Sequence, residues 1–194
     1  MEPLSNDRLE EVLATLGAVL AERGAGHELA VIGGSGLLLL GTTRRATRDV
    51  DVVALVRGGE LVRAQPLPPD LEAAAEDVAL ALGLDPGWLN AGPSALLDFG
   101  LPEGFLARCS TRRFEGLVVH VASRLDQIHF KLYAAADHGP ASKHVSDLRA
   151  LAPTTAELMQ AARWCRTQDP SDGFLASLAK ALAFFGVEVS DGDL

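Results

Sequence analysis

The sequence predicts an α/β (α+β) fold in which a small mixed-sheet core is followed by a helical C-terminal part. Three observations lead to this prediction. Helical and strand patterns alternate in the first third of the chain, glycine and proline interrupt the middle, and only helical patterns fill the last third. We expect the core to span residues 1–122 and the helical part to span residues 123–194, with one continuous domain as the alternative.

The N-terminal third predicts a helix, a strand, a second helix and a second strand. Leu and Val recur between residues 9 and 20 with the 3.6-residue period of an amphipathic helix, and Gly24 provides a stop. Two short apolar runs follow that are typical of buried strands. The predicted elements are helix 7–23, strand 28–32, a Gly33-Gly34 turn, helix 35–41 and strand 49–56.

The remainder of the chain predicts a loop, a helix, two strands and then helices only. Gly and Pro are frequent in residues 57–69, and three prolines interrupt residues 83–104. Ser123 and Asp126 form a capping box, which marks the start of a helix. The predicted elements are a loop at 57–69, a helix at 70–82, strands at 106–113 and 117–121, and helices at 123–137, 143–151, 155–167 and 173–185.

The composition excludes several classes of protein. The chain has 194 residues, of which 48% are hydrophobic, and a net charge of −9, so it is typical of a globular protein that does not coat DNA or an anionic membrane. Its two cysteines form no zinc-ligand spacing. The polar start lacks the features of a secretory signal, and the densest apolar stretch, residues 30–41, is too short to span a bilayer. We therefore predict a cytoplasmic protein with no membrane partner and no general DNA binding.

Charge is unevenly distributed along the chain. Residues 64–107 contain seven acidic residues and no Lys or Arg, whereas residues 41–63 and 108–149 each contain more basic than acidic residues. The two basic segments also contain every motif described below. The acidic segment could line a pocket for a cationic acceptor or form a protein interface, and the scatter of charges over a solvated surface is the alternative to both.

The first motif is the turn Gly33-Gly34-Ser35. A strand that passes through two glycines into a helix presents unpaired backbone N–H groups at a helix N-terminus, where the local positive potential favours a phosphate. The alternative is a turn that only connects two elements.

The second motif is the pair Asp49 and Asp51. Residues at i and i+2 of a strand point to the same face, and two carboxylates in an otherwise apolar strand repel each other and are poorly solvated. A divalent cation such as Mg²⁺ or Mn²⁺ would resolve this conflict, because hard oxygen ligands suit it. The alternative is that the acids end an exposed strand and pair with Arg44, Arg45 or Arg48.

Together these motifs carry a family resemblance. The stretch Gly34-Ser35 followed by Asp49-Val50-Asp51 resembles the signature of the polymerase-β-like nucleotidyltransferase superfamily. Residues 125–137 and 143–148 resemble the later motifs of its AbiEii-like branch, which includes type IV toxin–antitoxin and mycobacterial nucleotidyltransferase toxins. The resemblance covers roughly residues 28–56 and 117–151.

The resemblance implies a toxin that transfers a nucleoside monophosphate from an NTP to an RNA acceptor, with the tRNA 3′ end as the expected acceptor and an antitoxin protein as partner. It implies that Asp49 and Asp51 hold the metal ion and that Lys131 and Asp147 complete the catalytic set. Nucleotide contacts are expected from Gly33, Gly34, Ser35, Arg48 and Lys131, and Thr47 is a possible regulatory phosphosite. The alternatives are transfer to a small molecule or to a protein hydroxyl, and an inactive binding protein with the same fold.

The sequence departs from the family pattern at two positions. Many members place a third metal-binding carboxylate on a later strand, where this chain offers His120 in strand 117–121. His144 occupies the place of the first of two acids in the AbiEii-like motif. Either Asp49 and Asp51 suffice together with substrate, or Asp147 completes the site, or the chain has lost catalysis.

Overall fold

The computed structural model describes residues 3–139, 141–189, 192 and 194 of the chain. They form helices and a mixed β-sheet, which confirms the predicted α+β fold class. The chain folds into two compact units, Met1–Ser123 and Arg124–Leu194. The end of the first unit lies one residue from the predicted boundary.

The first unit begins with helix α1 (Asn6–Glu22), close to the predicted bounds. Ser5 is its N-cap and accepts a hydrogen bond from the backbone N–H of Arg8 at 3.4 Å, which satisfies one of the unpaired groups of the first turn. The predicted apolar stripe is buried, since Leu9, Leu13 and Leu16 are fully inaccessible to solvent. The helical period therefore identified the face of α1 that packs on the core.

The mixed sheet of the first unit is built around two central strands. Its strands are β1 (His27–Ile32), β2 (Val50–Arg57), β3 (Glu60–Val62), β4 (Leu89–Asn90), β5 (Ser110–Phe114) and β6 (Leu117–Val121). The order across the sheet is β3-β2-β1-β6-β5, with β4 paired to β2 off this path. Strand β1 is antiparallel to β2 and parallel to β6, and β4 is parallel to β2.

Helices α2 (Gly33–Leu39) and α3 (Pro69–Leu82) complete the framework that positions the site. Helix α2 follows β1 directly, so its first turn lies at the end of a buried strand. Helix α3 contributes to the hydrophobic core, and Trp88 after it is fully buried with its Nε1 donating to the carbonyl of Ala75 at 3.0 Å. The segment that leads into β4 is thereby fixed to α3.

The middle of the chain differs from the sequence prediction. The predicted loop at 57–69 contains β3, and residues 83–104 contain β4 and a 3₁₀ helix (Gly92–Phe99). The predicted strand 106–113 is a short helix, α4 (Phe105–Arg108), followed by β5. The two- and three-residue strands exist because β2 supplies their hydrogen-bond partners, and local sequence patterns do not report such pairing.

The second unit consists of four helices, α5 (Arg124–His138), α6 (Lys143–Ala150), α7 (Thr155–Gln168) and α8 (Asp172–Ala183). All four were predicted within a few residues of these bounds. Ile128 and Leu132 of α5 are fully buried, and Phe130 packs edge-on against Trp164 of α7 with ring centroids 5.3 Å apart. None of the helices in the described part of the chain is long and apolar enough to cross a membrane.

Candidate functional site

The glycine turn and the acidic strand meet in space. Gly33 has φ +74°, a conformation that favours glycine, and a Cβ placed on it would overlap Oδ2 of Asp51. A Cβ on Gly34 would lie 2.8 Å from Oγ1 of Thr47. Both glycines therefore allow a close approach of side chains, from β2 at Gly33 and from the segment before β2 at Gly34. The two sequence motifs form one local arrangement in the first unit.

Ser35 has a structural role within this turn. Its side chain is fully buried, and its hydroxyl donates to the backbone carbonyl of Ile32 at 3.2 Å. In this conformation the hydroxyl faces the chain itself, so the predicted phosphate contact of this residue would use its backbone N–H. The first N–H groups of any helix lack intrahelical acceptors, and Ser35 belongs to the first turn of α2.

Asp51 lies on β2, half-buried, between two neighbouring strands. It pairs with Ile32 of β1 on one side and with Asn90 of β4 on the other. The side-chain Nδ2 of Asn90 donates to Oδ1 of Asp51 at 3.1 Å. Hydrogen bonds of this kind favour the ionised carboxylate and fix its orientation.

Asp49 precedes β2 and is oriented by Thr47. The Thr47 hydroxyl lies 3.1 Å from Oδ1 of Asp49. Thr47 is itself held by an isolated antiparallel bridge to Leu4, with backbone N–H to carbonyl distances of 2.7 and 3.0 Å, and only 9% of its surface is exposed. Each of the two carboxylates thus receives a hydrogen bond from a neighbouring polar side chain.

Arg48 and Arg44 are exposed on the segment between α2 and β2. Arg44 lines a cavity of about 660 Å³ together with Arg112 of β5. Arg112 donates from Nη2 to the carbonyl of Leu39 at 3.1 Å, which fixes its guanidinium at the C-terminal end of α2. The segment 41–63 and the strand β5 therefore bring arginines from both basic stretches of the sequence to one surface of the first unit.

The described residues contain no group of three or more His, Cys, Asp and Glu side chains arranged to hold a metal ion. Of the two strands that flank Asp51, β4 supplies Asn90 and β1 supplies Ile32, and neither residue is an acid. His120 lies on β6, which β1 separates from β2, and its Nε2 is 2.7 Å from Oε2 of Glu28. The carboxylates at this place are therefore Asp49 and Asp51, and His120 has a partner of its own.

In the second unit, the two residues selected by the resemblance form a buried pair. Nζ of Lys131 on α5 donates to Oδ2 of Asp147 on α6 at 2.7 Å, and their side chains are 5% and 3% exposed. A buried charge requires a partner of opposite sign, because burial removes its hydration. Asp147 therefore holds the Lys131 ammonium in place.

His144 carries no charge near neutral pH. Burial and the nearby Lys131 lower its pKa to about 4, and its ring centroid lies 5.1 Å from that of His138. At the position where the resemblance predicts an acid, the chain therefore has a neutral imidazole. Asp147 supplies the carboxylate of this segment.

Asn90 is the residue of this site that sequence reasoning missed. It lies in the acidic segment 64–107, in a stretch without clear periodicity. The only sequence signal is Asn-Ala-Gly, because Oδ1 of Asn90 accepts a hydrogen bond from the backbone N–H of Gly92, as in an Asx turn. That signal predicts a turn, and it contains no information about contact with Asp51.

Comparison of the chain with known proteins finds no matching family model, no matching curated protein and no matching solved structure.

Proposed function

We propose that this protein is a metal-dependent nucleotidyltransferase of the toxin type, which transfers a nucleoside monophosphate from an NTP to an RNA acceptor. The observation that supports this most is the packing of Gly33 and Gly34 against Asp51 and Thr47. It brings the glycine turn against the Asp51 carboxylate and against Thr47, whose hydroxyl is hydrogen-bonded to Asp49. The tRNA 3′ end is the first acceptor to test.

The donor set at this place fits Mg²⁺ or Mn²⁺. Asp49 and Asp51 offer hard carboxylate oxygens, and Mg²⁺ commonly uses one or two protein carboxylates and takes its other ligands from water and phosphate. Hydrogen bonds from Thr47 and Asn90 orient the two carboxylates. When bound, such an ion stabilises negative charge on the α-phosphoryl group and lowers the pKa of the attacking hydroxyl.

The residues of the chain divide the remaining tasks. We assign the backbone N–H groups of the Gly33-Gly34-Ser35 turn to phosphate oxygens, and exposed Arg48 supplies a positive charge. Lys131 is assigned to the phosphates by the resemblance. Asp147 accepts a hydrogen bond from the Lys131 ammonium and fixes the position of this positive charge.

Thr47 is the proposed point of inactivation. A phosphoryl group on its hydroxyl would remove the hydrogen bond to Asp49 and add negative charge beside the Asp49 carboxylate. We therefore expect Thr47→Glu to lose nucleotide transfer. Unchanged nucleotide transfer in this variant, measured by the labelling of tRNA, would show that a negative charge at Thr47 does not inactivate the protein.

The test is incubation of the protein with each α-labelled NTP, Mg²⁺ and total tRNA. We expect label on tRNA with the wild type, and its loss in Asp49→Ala, Asp51→Asn and Lys131→Ala. Glu60→Gln serves as the control, because Glu60 is an exposed acid on β3. Label on a protein or a small molecule instead of tRNA would support the alternative acceptors and contradict the RNA assignment.

A second candidate is an inactive binding protein with the same fold. It is favoured by the presence of Asn90, and not an acid, beside Asp51. A Mg²⁺-dependent rise in melting temperature with an NTP, without label on any acceptor, would support this candidate over the enzyme.

A further inference from the structure

The side chain of Asn90 is fixed by two hydrogen bonds, one that it accepts and one that it donates. Its Oδ1 accepts from the backbone N–H of Gly92 at 2.8 Å, and its Nδ2 donates to Oδ1 of Asp51 at 3.1 Å. Because a backbone N–H can only donate, the first bond determines which end of the amide faces Gly92. The N–H₂ end must then face Asp51.

The backbone that carries Asn90 is also fixed. The N–H of Val50 donates to the carbonyl of Trp88 at 2.6 Å, and β4 continues this contact as a parallel pair with β2, in which Asp51 faces Asn90. Trp88 is fully buried. A side chain on such a short, anchored strand has little freedom relative to Asp51.

The contact constrains one oxygen of Asp51. Its Oδ1 is bound to Asn90, and its Oδ2 points to the side of Gly33, where a Cβ would overlap it. A carboxylate that is already held in one orientation loses no rotational freedom when a cation binds to it. The affinity of the site for the cation is therefore higher. Partners that orient a metal ligand typically contribute tenfold to a hundredfold in affinity.

We propose that Asn90 is a positioning residue that fixes the Asp51 carboxylate for binding of a divalent cation. This inference rests on the proposed function, because it requires that Asp51 is a metal ligand. The acidic segment 64–107, which contains Asn90, thereby contributes a residue to the site.

The test measures Mn²⁺ binding to the full chain without nucleotide, from the electron paramagnetic resonance signal of free Mn²⁺. We expect Asn90→Ala to weaken Mn²⁺ binding about tenfold or more. Ser94→Ala is the matched control, because buried Ser94 lies four residues from Asn90 and its hydroxyl accepts a hydrogen bond from the backbone N–H of Ala64 at 2.7 Å. Asn90→Leu, of similar size, replaces Asn90→Ala if the latter does not fold.

The outcomes separate this inference from the function on which it rests. Weaker Mn²⁺ binding in the Asn90 variants, with Ser94→Ala close to the wild type, supports it. Wild-type affinity in a folded Asn90 variant overturns it and leaves the proposed function standing. Equal weakening in Ser94→Ala also overturns it, because the effect would then come from general loosening of the segment. Absence of Mn²⁺ binding in the wild type would contradict the metal site itself.

Discussion

At the scale of single residues, Gly33 provides a test of the contact between the turn and the acidic strand. Gly33→Ala introduces a side chain at φ +74° and places its Cβ against the Asp51 carboxylate. Gly41→Ala introduces the same kind of backbone strain at φ +69°, with no atom within 4 Å of the new Cβ. Each variant should lose about 1–2 kcal/mol of unfolding free energy from the left-handed backbone. Only Gly33→Ala should also lose Mn²⁺ binding.

Denaturant unfolding and Mn²⁺ titration of the two glycine variants check this expectation. If both variants bind Mn²⁺ like the wild type, the carboxylate does not depend on the turn, and the central geometry of the site is wrong.

His144 predicts a dependence of stability on pH. Its pKa is about 4 in the folded chain, below the usual value of 6.5 for histidine, mainly because burial disfavours the charged ring. Repulsion from Lys131, Lys143 and His138 lowers the pKa further, and attraction to Asp147 opposes them. The unfolded state therefore binds more protons between these values, so the contribution of His144 to stability is complete above about pH 6.5 and declines as pH falls towards 4.

We expect His144→Gln to lose less unfolding free energy than the wild type between pH 7.5 and pH 4.5. Denaturant unfolding at both pH values measures the difference, with the values at pH 7.5 as reference. Parallel decreases in the two proteins would show that His144 is not the group responsible.

At the scale of elements, α1 packs unusually closely on the β5–β6 hairpin. A Cβ on Gly17 would lie 2.8 Å from Cβ of Phe114, and the N–H of Gly116 in the hairpin turn donates to the carbonyl of Gly17 at 3.1 Å. Alanine normally stabilises a helix interior by about 1 kcal/mol relative to glycine. Here the hairpin leaves no room, and overpacking typically costs about 1–3 kcal/mol.

We therefore expect Gly17→Ala to lower the unfolding free energy, against the helix propensity. Gly173→Ala in α8, where nothing lies within 4 Å of the new Cβ, should raise it. Denaturant unfolding of both variants measures whether each substitution raises or lowers the unfolding free energy. A stabilised Gly17→Ala would contradict the close packing of α1 on the hairpin.

The helices and strands differ in how well the sequence predicts them. The long helix α1 was predicted because its apolar residues recur with the helical period, and β1 and β2 because their short apolar runs are typical of buried strands. The strands β3 and β4 were not predicted, since pairing with β2 maintains them and their own residues show no alternation. Asn90 was missed for this reason, whereas the turn and the Asp49–Asp51 pair were selected as candidates from their local chemistry.

At the scale of the whole molecule, charge along the sequence differs from charge in space. In the first unit, acids of segment 64–107 form ion pairs with bases from other segments: Asp70 with His27, Asp77 with Arg23, and Asp98 with Arg63. The hydrogen bond from His27 also lowers the pKa of Asp70. These exposed pairs contribute little to stability. They partly neutralise the segment, which weakens the hypothesis that it lines a pocket for a cationic acceptor.

The central claim, that the site around Asp49 and Asp51 performs nucleotidyl transfer, is tested most directly by the position of the bond that breaks. The protein is incubated with Mg²⁺, tRNA and an NTP labelled either at the α-phosphate or at the γ-phosphate. Nucleotidyl transfer predicts that the α-label joins the acceptor, that the γ-label leaves as pyrophosphate in equal amount, and that Asp51→Asn stops both. Label from the γ-phosphate on the acceptor, or transfer that persists in Asp51→Asn, would contradict the account.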